Sequence, residues 1–163
     1  MFFSQVPVRA WFATLALGCF GLVAVGMELQ NLLRLAPCPM CIFQRVLYLL
    51  IGGLALFGFA WPIARMAWAG LIGLLAMLGV GVAGEQTWMQ AFPELATECG
   101  YAEPNLMEQL VDWLGMQWPS WFLATGFCTS RDWVFLGLSM ANWSLLVFIG
   151  IVGYAALLFR RRN

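Results

Sequence analysis

The chain has 163 residues, 63% of them hydrophobic and only 10% charged, with eight arginines against eight acids and no histidine. A soluble domain is about one quarter charged, so the composition excludes an ordinary water-soluble fold and a disordered chain. With no basic surplus, it also excludes a nucleic-acid binder. Four membrane helices of roughly 20 apolar residues each, with their connections, fit the length.

In chain order, the first apolar segment covers about 10–27. It follows Arg9 as a signal peptide would, but it is long for such a segment and lacks a small-x-small cleavage site. It is therefore read as a retained span. A connection over about 28–41 carries Cys38 and Cys41, and the second segment follows at about 42–60. The third covers about 66–84, a long connection about 85–142 holds Cys99 and Cys128, and the last segment covers about 143–159. Trp11, Trp61, Trp68, Trp88 and Trp143 fall near span ends, where aromatic belts form. Cys19 lies inside the first span and reads as a small apolar packing residue. Gly18, Gly21, Gly70, Gly73, Gly79 and Gly81 suit close helix contacts.

Charge sets the expected orientation. If the spans alternate, Arg9, Arg65 and Arg160-Arg161-Arg162 share one side with no acid, whereas all eight acids lie on the other. The positive-inside rule then puts both termini in the cytoplasm. Four cysteines fall on the outer side and none in the inner connections, which fits an oxidising compartment, in a bacterium the periplasm.

The pattern Pro37-Cys38-Pro39-Met40-Cys41 opens the second span. Two thiols at this spacing can form a disulfide, and the environment of the second thiolate controls their reactivity. Cys41 falls in or just before the first turn of the helix, where unpaired N–H groups and the positive dipole end favour a thiolate. Arg45, four residues on, adds a fixed positive charge on the same face. The bland alternative for Arg45 is snorkelling to headgroups. The two prolines stiffen the approach and end any helix before it. A zinc site would need all four outer cysteines, since no histidine exists, and Cys99 and Cys128 do not repeat the short ligand spacing. Haem attachment of the c type is excluded because Ile42 follows Cys41. From the residues alone, Cys99 and Cys128 are either a structural staple or a second redox pair.

Leu29-Gln30 with Pro37-Cys38-Pro39-Met40-Cys41-Ile42-Phe43-Gln44-Arg45 resembles the signature of the bacterial disulfide bond formation protein B family, DsbB. So does the later run from Cys99 through Phe122-Leu123-Ala124-Thr125-Gly126-Phe127-Cys128 to Trp133-Val134-Phe135-Leu136-Gly137-Leu138-Ser139-Met140. The resemblance spans nearly the whole chain. It implies an inner-membrane enzyme that reoxidises a periplasmic DsbA-like thiol oxidase and reduces a membrane quinone, ubiquinone or menaquinone. It also implies that Cys99 takes the mixed disulfide with the partner, that Cys128 exchanges with Cys38, and that Cys41 faces the quinone. Such a relay requires the second loop to move. Many family members have a histidine near the outer end of the third span, where this chain has Gln86. Glutamine can hydrogen-bond a quinone carbonyl but cannot shuttle a proton, and Glu85 is the neighbouring acid.

The connection from Met89 to Met140 has six acids and one arginine, as expected of an outer loop. Residues 110–114 and 118–122 are too apolar for a solvated loop and predict either a short interfacial helix or packing on the bundle. The expected fold is an all-α, four-transmembrane-helix bundle, a single membrane domain over 1–163. Both termini are cytoplasmic, there are two periplasmic loops, and a short interfacial helix lies in the second. The expected site is Cys38, Cys41, Cys99 and Cys128 for catalysis, Arg45 and Gln86 for quinone, and no metal. The alternative is a non-enzymatic tetraspan adaptor with two structural disulfides.

Overall fold

The computed structural model describes residues 7–95 and 105–160, so Cys99 lies outside the described residues. Among the described residues, four helices are long and apolar enough to cross a membrane: α1 (Val8–Leu33), α2 (Pro39–Ala60), α3 (Arg65–Ala91, entered through a 3-10 turn at Pro62–Ala64) and α6 (Met140–Arg160). Between α3 and α6 lie α4 (Leu106–Gln117) and the single turn α5 (Pro119–Phe122).

α1 and α3 run past the apolar stretches that predict them, by six residues beyond Met27 and seven beyond Gly84. The reason is propensity. Glu28, Gln30, Glu85, Gln86 and Gln90 are unbranched, helix-compatible side chains, and no glycine or proline intervenes. α1 stops at Arg34, whose left-handed backbone (φ 51, ψ 42) returns its N–H to the Gln30 carbonyl. These overhangs form the walls of the site.

α1 packs on α2, α2 on α3, and α3 on α6. The ring closes where the Tyr154 hydroxyl meets Thr14 Oγ1 at 2.7 Å and the Trp11 and Tyr154 rings sit 4.8 Å apart. In lipid, helix association rests on close packing rather than on hydrophobic transfer, and glycine makes that packing possible here. A Cβ at Gly79 would enter the ring of Phe148, one at Gly58 would stand 2.5 Å from Phe12 Cε1, and one at Gly52 3.1 Å from Phe20. Of the glycines expected at close contacts, Gly79 stands at a tight one. Gly18, Gly21, Gly70 and Gly81 have open space, while Gly52 and Gly58 carry the contacts of α2 with α1. Cys19 is buried in this core, as its apolar reading expects.

α4 starts with a capping box in which Asn105 Oδ1 accepts the Glu108 N–H and Glu108 accepts that of Asn105. It packs on α2 with Val111 fully buried, while Leu106 and Met116 on its other side are exposed. The second outer segment also has a feature absent from the all-helical expectation. A two-residue hairpin, β1 (Val134–Phe135) with β2 (Leu138–Ser139), turns through Leu136 and Gly137, both at positive φ (51 and 80). Positive φ at both central residues matches the right-handed strand twist. Glycine meets that requirement without a steric penalty.

Candidate functional site

The start of α2 builds the site. Pro39 occupies the first helical turn, where a missing N–H leaves no partner wanting. Cys38 is the N-cap, with extended backbone (φ −84, ψ 165), and its Sγ accepts the Cys41 N–H at 3.4 Å. A sulfur thus fills the place usually taken by a serine or aspartate oxygen. It also fixes Cys41 in the first turn with its Sγ 3.2 Å from that of Cys38.

Cys128 comes to the same point from the distant connection. It is fully buried in a cluster with Cys38, Met40, Val82 and Met89. Hydrogen bonding to Cys128, then to Cys41, then burial, pushes the Cys38 thiol far above its ordinary range. Cys38 is therefore the middle sulfur of three. Met89 packs on these sulfurs, whereas Met77 is exposed on the outside of the bundle.

Gln86 on α3 is buried and aims its amide at the dithiol, with Nε2 donating to Cys41 Sγ at 3.1 Å and to Cys38 Sγ at 3.3 Å. Its Oε1 accepts from Gln44 Nε2 at 2.8 Å. Both amide protons of Gln86 therefore serve sulfur. Arg45 lies one turn beyond Cys41 on α2. Its guanidinium donates to Gln30 Oε1 on α1 at 2.7 Å and to the Trp121 carbonyl beyond α4, tying three segments together. Glu85 is exposed and stands outside the cavity described next.

A cavity of about 270 Å³ opens beside the dithiol, with Cys41, Gln44, Arg45, Tyr48 and Gln86 among its polar lining and Val23, Leu29 and Val147 among its apolar lining. The Tyr48 hydroxyl in this lining is 2.9 Å from Ser144 Oγ. The Tyr48 ring stacks on Phe148 at 4.4 Å. A flat, mostly apolar ring with hydrogen-bond acceptors matches this lining, and a permanent cation and a thiol stand at one wall.

Of the residues expected at the site, Cys38, Cys41, Cys128, Arg45 and Gln86 come together, and Cys99 lies outside the described residues. Gln30 and Gln44 belong to the site without a role read from sequence. The available signal was polarity: an amide inside or beside an apolar span must find a partner.

Four membrane-length helices and buried, mutually contacting thiols at a helix N-terminus define a membrane thiol-redox protein. Residues 8–158 match the family model described as disulfide bond formation protein DsbB. The chain is 68% identical over 163 residues to "Disulfide bond formation protein B" of Dechloromonas aromatica (strain RCB), covering 100% of this chain and 99% of that protein. It is 42% identical over 160 residues to the protein of the same name from Nitrosomonas europaea, covering 96% of each. A third, from Aromatoleum aromaticum, is 42% identical over 159 residues, covering 95% of this chain and 94% of the relative. The chain belongs to the DsbB family, and its role is in disulfide bond formation.

Proposed function

We propose that the chain is an inner-membrane thiol:quinone oxidoreductase that reoxidises a DsbA-like dithiol oxidase in the periplasm. The observation that carries this is the placement of Cys38 between two sulfurs, with Cys41 opening on the cavity beside Arg45. A staple joins two sulfurs; three in contact, one of them facing a cavity, favour exchange over the adaptor reading.

The steps are thiolate attacks on disulfides. A dithiol partner reduces the Cys99–Cys128 disulfide through a mixed disulfide at Cys99 and leaves oxidised. The Cys128 thiolate then attacks Cys38 of the Cys38–Cys41 disulfide, forming Cys38–Cys128 and releasing Cys41 as the thiolate. Attack by Cys99 on Cys128 restores that pair and releases Cys38. A quinone held beside Cys41 and Arg45 would supply the terminal acceptor for the two electrons and two protons released as Cys38–Cys41 forms again. Gln86 and the helix N-terminus hold Cys41 as a thiolate. Arg45 provides positive charge at the cavity wall, and the lining excludes water. Gln86 acts on sulfur rather than on a quinone carbonyl, because both its donors are taken. The side with Arg9, Arg65 and Arg160-Arg161-Arg162 is cytoplasmic.

The test mixes the purified chain with a soluble quinone and a reduced DsbA-type oxidase and follows quinone absorbance. Catalytic loss of quinone, absent in Cys41→Ser and in Cys99→Ser, is the expected result. Intact disulfides with no quinone consumed by the unsubstituted chain would leave the adaptor reading standing.

A further inference from the structure

The segment that delivers Cys128 is held on both sides by contacts that involve none of the sulfurs. On its N-terminal side, the N–H groups of Thr125 and Gly126 both donate to the Pro37 carbonyl, at 2.9 and 3.0 Å. Pro37 is the residue immediately before Cys38, so this joins the backbones leading to the two sulfurs. The approach is so close that a Cβ at Gly126 would collide with the Ala36 carbonyl oxygen and stand 2.8 Å from its carbon. Gly126 is not among the residues at positive φ. Only the proximity of Ala36 demands glycine there.

On the C-terminal side, buried Gln90 at the end of α3 holds the same segment. Its Nε2 donates to the Ser130 carbonyl at 2.9 Å, and its backbone carbonyl accepts from Arg131 at 2.6 Å. Its Oε1 accepts from Ser139 Oγ at 2.6 Å, and Ser139 Oγ accepts the Asn142 N–H at 3.4 Å. Cys128 is thus suspended between a backbone clasp two residues before it and a side-chain clasp two residues after it.

We infer that Gly126 and Gln90 are positioning residues that set the effective concentration of the Cys128 sulfur at Cys38. This rests on the relay reading, in which the Cys128 thiolate attacks Cys38 and expels Cys41. A buried amide with both its nitrogen and its oxygen hydrogen-bonded is restrained. Holding two reacting groups this way converts loop diffusion into a local encounter. The Cys128 side then stays docked at Cys38 through the exchange.

The test measures that effective concentration directly on the purified full chain. With Cys19→Ala, Cys41→Ser and Cys99→Ser combined, Cys38 and Cys128 are the remaining thiols. The chain is equilibrated in graded glutathione redox buffers, and the disulfide fraction is read by gel shift after alkylation. Gly126→Ala and Gln90→Leu should each lower the effective concentration about tenfold, and the milder Ser139→Ala about threefold. In the background carrying Cys19→Ala, Cys99→Ser and Cys128→Ser, which leaves Cys38 with Cys41, the same substitutions should change the value less than about twofold. Unchanged values in the first background, or equal losses in both, would overturn the clasp while leaving the relay intact. Failure of Cys38 and Cys128 to pair without the clasp substitutions would overturn both.

Discussion

Replacing Gln86 by leucine keeps the volume and removes three hydrogen bonds: two to sulfur, and the one its Oε1 accepts from Gln44. Gln44 and Gln86 are 4% and 2% exposed, so the abandoned Gln44 amide cannot turn to water. Leaving a buried donor unmade costs about 1–3 kcal/mol, whereas measured interhelical couplings in membranes average about 0.6 and reach about 1.7 kcal/mol. The near-complete burial puts this pair at the upper end, about 1–2 kcal/mol. For a chain of this size that is a fall in Tm of about 2–8 °C. Gln44→Leu should fall by a similar amount, because it orphans one lone pair of Gln86. The double variant should recover most of the loss, since removing both partners of a buried pair is nearly neutral. Thermal unfolding of the reduced protein in detergent micelles measures the cycle. Turnover should not follow stability: it should stay low in the double variant, which still lacks the amide at Cys41. Additive losses in Tm would refute the pairing, and recovery of turnover with stability would refute a role for Gln86 at sulfur.

Arg45→Lys keeps the charge but cannot reach Gln30 and Trp121 with one compact head. A lost charge-assisted hydrogen bond of about 1.5–3 kcal/mol should raise the quinone KM about tenfold to a hundredfold with a smaller change in kcat; an unchanged KM would remove Arg45 from the cavity's function. Gly79→Ala should lower Tm, because overpacking against Phe148 costs about 1–3 kcal/mol, while Gly70→Ala should raise it, because helix propensity favours alanine by up to about 1 kcal/mol. Two equal shifts would contradict the packing. The Cys38 thiol is shifted upward from an ordinary value of 9.0. Its stabilisation is therefore full below that value and is lost as pH rises above it, where the unfolded chain ionises first. Tm of the reduced protein should fall on the alkaline side relative to the oxidised protein, and parallel curves would argue against a protonated Cys38.

The spans were legible because hydropathy over some twenty residues is a bulk property that no single contact overrides. Their outer ends were not. Helix α3 continues through Glu85, Gln86 and Gln90, which propensity permits, but the buried partners of the two amides are tertiary. The Pro-Cys-Pro-Met-Cys pattern gave the cap and the dithiol because all its parts are local. By contrast, Gln44 with Gln86, Arg45 with Gln30, and Pro37 with Gly126 join residues from 15 to 89 positions apart. Nothing in a single sequence marks such pairs. Gly126 in particular reads as an ordinary loop glycine until Ala36 is seen against it.

The stack of Tyr48 on Phe148 joins the cavity to a tight seam in the bundle, because Phe148 lies where a side chain at Gly79 would be. The depth of the pocket is thereby coupled to the spacing of α3 and α6. The Tyr48 side of the cavity is thus backed by the seam between α3 and α6. Changes at Gly79 or Phe148 would reach the cavity through the Tyr48 ring.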